Sequence, residues 1–181
     1  MIVKTKTYSN AKEALDDYKY DSCDDIIERI KNCNFKNQRE NADIINEIVL
    51  WKINRQTFVK NELISDIKNL SGNVRSYNDI SSYENEIKDI YNKLIGSKGV
   101  GAAMASTILK MFMPEALPII DQRAYREIYG KDMPSKVDGN AYFEYVKKVI
   151  AQFEKERGIH FPDMDKVLYQ RDKASGQQVK Y

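Results

Sequence analysis

Two features of this chain have residue types and spacing suited to chemistry. One is the stretch Ser97-Lys98-Gly99-Val100-Gly101; the other is Asp121, 22 residues after Gly99. Two glycines around one apolar residue let the backbone turn tightly and bring amides, unshielded by side chains, up to an anion. A helix starting at Ala102 would add unpaired N–H groups and the positive end of its dipole, and Lys98 would add a cation. Together they would form a phosphate cradle, with the Asp121 carboxylate held at a set interval beyond it. Each half also has a plain structural explanation. Glycine turns join helices that bind nothing, and an Asp ahead of Gln122-Arg123-Ala124 is a routine helix N-cap. No Gly-Lys-Ser/Thr follows the glycines, so this is not a P-loop. A helix on both sides argues against a dinucleotide-binding fold, which needs a preceding strand.

The elements that must hold these residues read as all-α. Capping residues and three- and four-residue apolar spacing predict helices near 9–20, 22–31 and 41–55. Further helices are predicted near 59–70, 82–95, 102–113, 121–129 and 141–156, with a last one after Pro162. In the third, Ile44, Ile45, Ile48, Val49 and Trp51 cover a wide arc, which predicts a helix central to the core. Met104, Ile108 and Phe112 share one side of the helix after the hairpin. Phe143, Val146, Ile150 and Phe153 form the stripe of a later one. The segments 71–82 and 131–140 are polar connectors rich in turn formers. The reading is one compact unit over 1–181, with a central lobe at 36–130 holding the hairpin 94–113. The two ends, 1–35 and 131–181, would form a second lobe.

Composition bounds the rest. A chain of 181 residues with 42% hydrophobic residues can bury one substantial core. The net charge of +2 is uninformative, but its distribution is not: residues 93–181 carry 15 basic and 11 acidic side chains, against 14 and 16 in residues 1–92. The hairpin half therefore favours an anionic partner. Cys23 and Cys33 lack metal-site spacing and read as free thiols of a reducing compartment. The N-terminus has no apolar run of signal-peptide type and no segment is long enough to span a bilayer, so a cytoplasmic location is expected. The lone His160, beside Ile159 and Phe161, reads as structural. Neither a metal nor another cofactor is expected.

The stretch from Leu94 to Gly130 resembles the helix–hairpin–helix DNA glycosylase superfamily. The family pattern is roughly LPGVGxxTA, an apolar helix, then an Asp that opens another helix. Here Gly99-Val100-Gly101 matches the hairpin and Met104-Ala105 stands at the family's Thr-Ala. Ile120-Asp121-Gln122-Arg123 stands at its Val-Asp-Thr-His. The resemblance implies two helical lobes with a cleft between them and a duplex DNA partner carrying a damaged or modified base. It implies base excision by a monomeric enzyme, with Asp121 as the catalytic carboxylate. Lys98, Gly99, Val100, Gly101, Ala102 and Arg123 would contact the DNA backbone. By a weaker alignment, Asn54, Arg55 and Gln56 would fill the gap left by the flipped base. Trp51, Phe112 and Tyr125 are pocket candidates, on helices read as buried. Bifunctional members carry a lysine four residues after the first hairpin glycine; here that residue is Ala103, which implies no lyase step.

Two other readings stay open. One is a non-catalytic helix–hairpin–helix module that binds DNA within a repair or defence assembly. The other is an all-helical protein whose glycine turn is incidental.

Overall fold

The structure, a computed structural model, describes residues 24–33, 36–52 and 56–176. The helix expected near 9–20, Ser22, Cys23, the wedge candidates Asn54 and Arg55, and the end of the chain beyond 176 lie outside the described residues. Among those residues the elements are helical: α1 (Asp24–Asn32), α2 (Gln38–Lys52), α3 (Asn61–Asn73), α4 (Glu84–Ile95), α5 (Ala102–Phe112), α6 (Gln122–Tyr129), α7 (Gly139–Phe153) and α8 (Met164–Ala174). Short 3₁₀ turns, Ile80–Tyr83 and Phe161–Asp163, precede α4 and α8. The all-α expectation holds. The chain divides into two compact units, Met1–Gln56 and Thr57–Tyr181. The boundary thus falls at 56/57 and not at 35/36 and 130/131, because the helices of 57–130 and those of 131–174 share one core.

In the first unit α1 packs on α2, with Ile26 and Ile44 buried and an Arg29–Glu47 ion pair across them. The side-chain carbonyl of Asn37 accepts from the amides of Arg39 (3.0 Å) and Glu40 (3.3 Å), so α2 starts earlier than Asn41. The expectation that α2 is central to the core is corrected. Ile44 is its buried residue, while Ile45, Ile48, Val49 and Leu50 are exposed. Among the described residues α2 packs on α1, and that contact buries one stripe of it, however wide its apolar arc.

In the second unit α4 packs against α3, α5 and α7. Its Ile87, Ile90, Tyr91 and Leu94, at i, i+3, i+4 and i+7, are all buried. Tyr91 stacks on Tyr142 of α7 with ring centroids 4.3 Å apart. The start of α7 lies so close to α4 that a Cβ on Gly139 would sit 2.5 Å from the Lys88 carbonyl oxygen. The Gly139 amide instead donates to Asn92 Oδ1 at 2.8 Å. Asp138 caps α7 by accepting from Ala141 N. α6, ended by left-handed Gly130 (φ 65°), packs on α7 and α8. The inward face of α5 is Ala105, Ser106, Leu109 and Lys110. Met104 and Phe112 are exposed, so the expectation of a buried Phe112 is corrected: it lies on the outward side.

Candidate functional site

The hairpin is the turn between α4 and α5. Gly96 N–H donates to Asn92 O (3.1 Å) and Ser97 N–H to Leu94 O (2.9 Å), closing α4. Ser97 Oγ donates to Lys93 O at 3.0 Å. Val100 N–H then returns to Ser97 O at 3.2 Å, with Gly99 as the third residue of the turn at φ 75°. That is the position where a type II turn demands a positive φ, so Gly99 is fixed by conformation. Val100 anchors the turn into the core at 5% exposure. On the outer side the Phe58 amide donates to Lys98 O at 3.0 Å, an isolated antiparallel bridge.

Gly101 has a different role. Its backbone is extended (φ −91°, ψ 177°), a conformation open to any residue, and a Cβ there would meet nothing within 4 Å. It is the N-cap of α5 and offers no capping side chain; the first helical bond is Ala105 N–H to Gly101 O at 2.9 Å. The first turn of α5 therefore opens onto a surface cleared of side-chain bulk. Lys98 and Ala103 are exposed beside it, and Ala102 is half-buried, its carbonyl accepting from Tyr91 OH at 3.4 Å.

From α5 the chain reaches Asp121 through a segment without regular structure, 117–121. Its Leu117 and Ile120 are fully buried. Buried backbone polar groups need partners, and here side chains from three helices supply them. Tyr142 OH donates to Pro118 O (2.9 Å) and Tyr145 OH to Ile119 O (3.0 Å). Ile119 N–H donates to Asp165 Oδ2 (3.3 Å) and Ile120 N–H to Ser106 Oγ (3.0 Å). Asp165 Oδ1 also accepts from the buried ammonium of Lys110 (3.3 Å), which donates to Pro162 O at 2.7 Å as well. Two residues of the hairpin helix, Ser106 and Lys110, thus hold the strap on which Asp121 is carried, one directly and one through Asp165.

Asp121 is the N-cap of α6, its Oδ1 accepting from Ala124 N–H at 2.8 Å. Partial burial pushes its carboxyl above the ordinary carboxylate range; the Ala124 and Arg123 amides oppose that shift and the negative charge of Asp165 adds to it. The shift is upward because desolvation of the charged form outweighs the capping bonds. Tyr142 and Tyr145 are pushed well above their ordinary value by burial, with Asp121 contributing at Tyr145. They are hydroxyl donors here.

Arg123 donates to Asp172 Oδ2 at 3.0 Å and lies over the Tyr169 ring. Arg126 forms a two-pronged contact with the same carboxylate, at 2.6 and 2.8 Å, and also reaches Asp132 at 3.1 Å. Both guanidiniums tie α6 to its surroundings, and Arg126 holds Asp172 below the carboxylate range. Tyr125 is buried and stacked on Tyr129, centroids 4.3 Å apart. Trp51 and Gln56 belong to the first unit. His160 is exposed at the start of the second 3₁₀ turn.

The sequence reading missed Ser106, Lys110, Tyr142, Tyr145 and Asp165. Their signal was helical register. Ser106 and Lys110 are four apart and flank Leu109, and Tyr142 and Tyr145 are three apart beside Val146 and Val149, so each pair shares a core-facing stripe. Polar atoms in such stripes need internal partners. No family model matches this chain, and neither a curated protein nor a solved structure matches it.

Proposed function

We propose that this protein is a monofunctional DNA glycosylase of the helix–hairpin–helix kind, acting on a damaged or modified base in duplex DNA. The hairpin grips a phosphate through the open first turn of α5, a contact that carries no sequence information. The target base leaves the stack at a cost of a few kcal/mol, offset by contacts made outside the helix. Water then bonds to C1′ as the C1′–N bond breaks. The base departs with the bonding electron pair and takes up a proton. Ionised Asp121 stabilises the positive charge developing on the sugar and receives the water's proton, leaving an abasic site. Ala103 stands where a lyase lysine would be, so the reaction ends there. Arg123 and Arg126 hold α6 and Asp121 in place through Asp172.

The observation that carries this reading is the strap 117–121: four side chains secure the backbone leading to one carboxylate, one of them, Ser106, from the hairpin helix, whose Lys110 in turn holds Asp165. An N-cap alone needs no such framework. A second reading, a non-catalytic DNA-binding module, draws on the 2.8 Å Ala124–Asp121 bond, which satisfies Asp121 without any chemistry.

Mass spectrometry of free bases released from a panel of damaged and modified duplexes separates the two. Asp121→Asn keeps a capping oxygen, so the fold should survive by circular dichroism and DNA affinity should hold. Base release should fall about 10²- to 10⁴-fold, the usual contribution of such a group. Release at the wild-type rate would remove Asp121 from the mechanism. DNA binding without release of any base would favour the second reading.

A further inference from the structure

Phe58 is the most unusual surface residue near the hairpin. Its side chain is 68% exposed, while its amide is bonded to Lys98 O at 3.0 Å, so the hairpin's own turn fixes the backbone that carries the ring. Beside it runs a groove of about 490 Å³ lined by Phe58, Lys60, Leu63, Gly96 and Lys98, among others. That volume lies within the usual range for pockets that take small-molecule-sized ligands, and a nucleobase fits it. Lys60 and Lys98 line it, as do Glu62 and Asp66, while Lys93 at its edge is held by Asp89 at 2.7 Å. An aromatic face, a cavity of base size and flanking ammonium groups are the chemistry that recognises an unstacked nucleotide: the ring takes the base and the cations take its phosphate.

We infer that Phe58 and this groove bind an unpaired base next to the phosphate held by the hairpin. The site rests on the reading of the hairpin as a DNA grip. It adds to that reading a preference for DNA whose stacking is already broken. Every base has a π-face, so the preference is for unpairedness and not for sequence.

The test is the affinity of the full chain for three labelled DNAs: a duplex with one unpaired base, its fully paired counterpart and the single strand. Phe58→Ala should weaken binding to the unpaired-base duplex and the single strand about tenfold, the lower part of the range for a base–aromatic stack. Binding to the paired duplex should be almost unchanged, and so should the dependence of affinity on salt. Phe58→Trp should restore the loss. Phe58→Ala binding all three DNAs like the wild type would overturn the inference while leaving the hairpin grip intact. An equal loss on the paired duplex would overturn the assignment to an unpaired base. Failure of the wild-type protein to bind any of the three would overturn both this inference and the proposed function.

Discussion

The hairpin 96–101 and the strap 117–121 are both short, non-helical and next to a helix N-terminus, yet they treat their backbone in opposite ways. In the hairpin, glycine clears the surface and α5 begins with no capping side chain. In the strap, side chains of α5, α7 and α8 take up the buried amides and carbonyls, and the next helix begins with the Asp121 cap. One region leaves polar groups available to a ligand; the other uses them to fix a carboxylate. Under the proposed function, binding and positioning are separate tasks, and substitutions in the two regions should fail differently.

The largest effect is expected behind the strap. Asp165→Ala leaves the Lys110 ammonium buried without its counter-charge and the Ile119 amide without an acceptor, a loss of about 3–5 kcal/mol. Replacing both members, Lys110→Met with Asp165→Leu, should cost much less, since no uncompensated charge remains. Chemical denaturation measures both, and equal losses would mean that the cost lies in the orphaned Ile119 amide and not in the uncompensated charge.

The hairpin glycines should then part company. Gly99→Ala forces a Cβ into a left-handed conformation and should cost about 1–2 kcal/mol of stability. Gly101→Ala meets neither strain nor a neighbour and should change stability by less than about 0.5 kcal/mol. Both should weaken DNA binding. If Gly101→Ala binds DNA like the wild type, the cleared surface in front of α5 is not where the phosphate sits.

The smallest effect is a shift along the pH axis. Asp121 has a raised pKa, so its ionised form is lost first on acidification, and base release should decline at a pH above the ordinary Asp value of about 3.9. Protonating it does not unfold the protein, because a raised carboxyl pKa means that the charge was the costly form. Asp172 has a lowered pKa. Its contribution is fully present above about 3.9 and is lost only as pH falls through its depressed folded value. Activity should therefore disappear before the acid unfolding transition. Coincidence of the two in a pH–rate profile and a circular dichroism titration would remove the distinction.

Local pattern made much of this legible beforehand. The helices expected near 82–95, 102–113 and 121–129 are α4, α5 and α6, and the Asp expected as a helix N-cap caps α6. The reading failed where burial depends on what else is near. α2 has enough apolar residues for a central helix, but among the described residues of its unit it packs on α1. Phe112 has the spacing of a stripe that turned out to face away from the core. Gly139 looked like part of a polar connector, and only the approach of Lys88 shows why no larger residue fits. The sequence by itself determined the helices, the turn at Gly99 and the cap at Asp121, because these depend on residues within a turn or two of each other. Only the tertiary structure decided that Ser106, Lys110, Tyr142, Tyr145 and Asp165 converge on 117–121. Their partners lie 14 to 55 residues apart in the chain, and a buried amide is satisfied by whichever side chain the packing brings within reach.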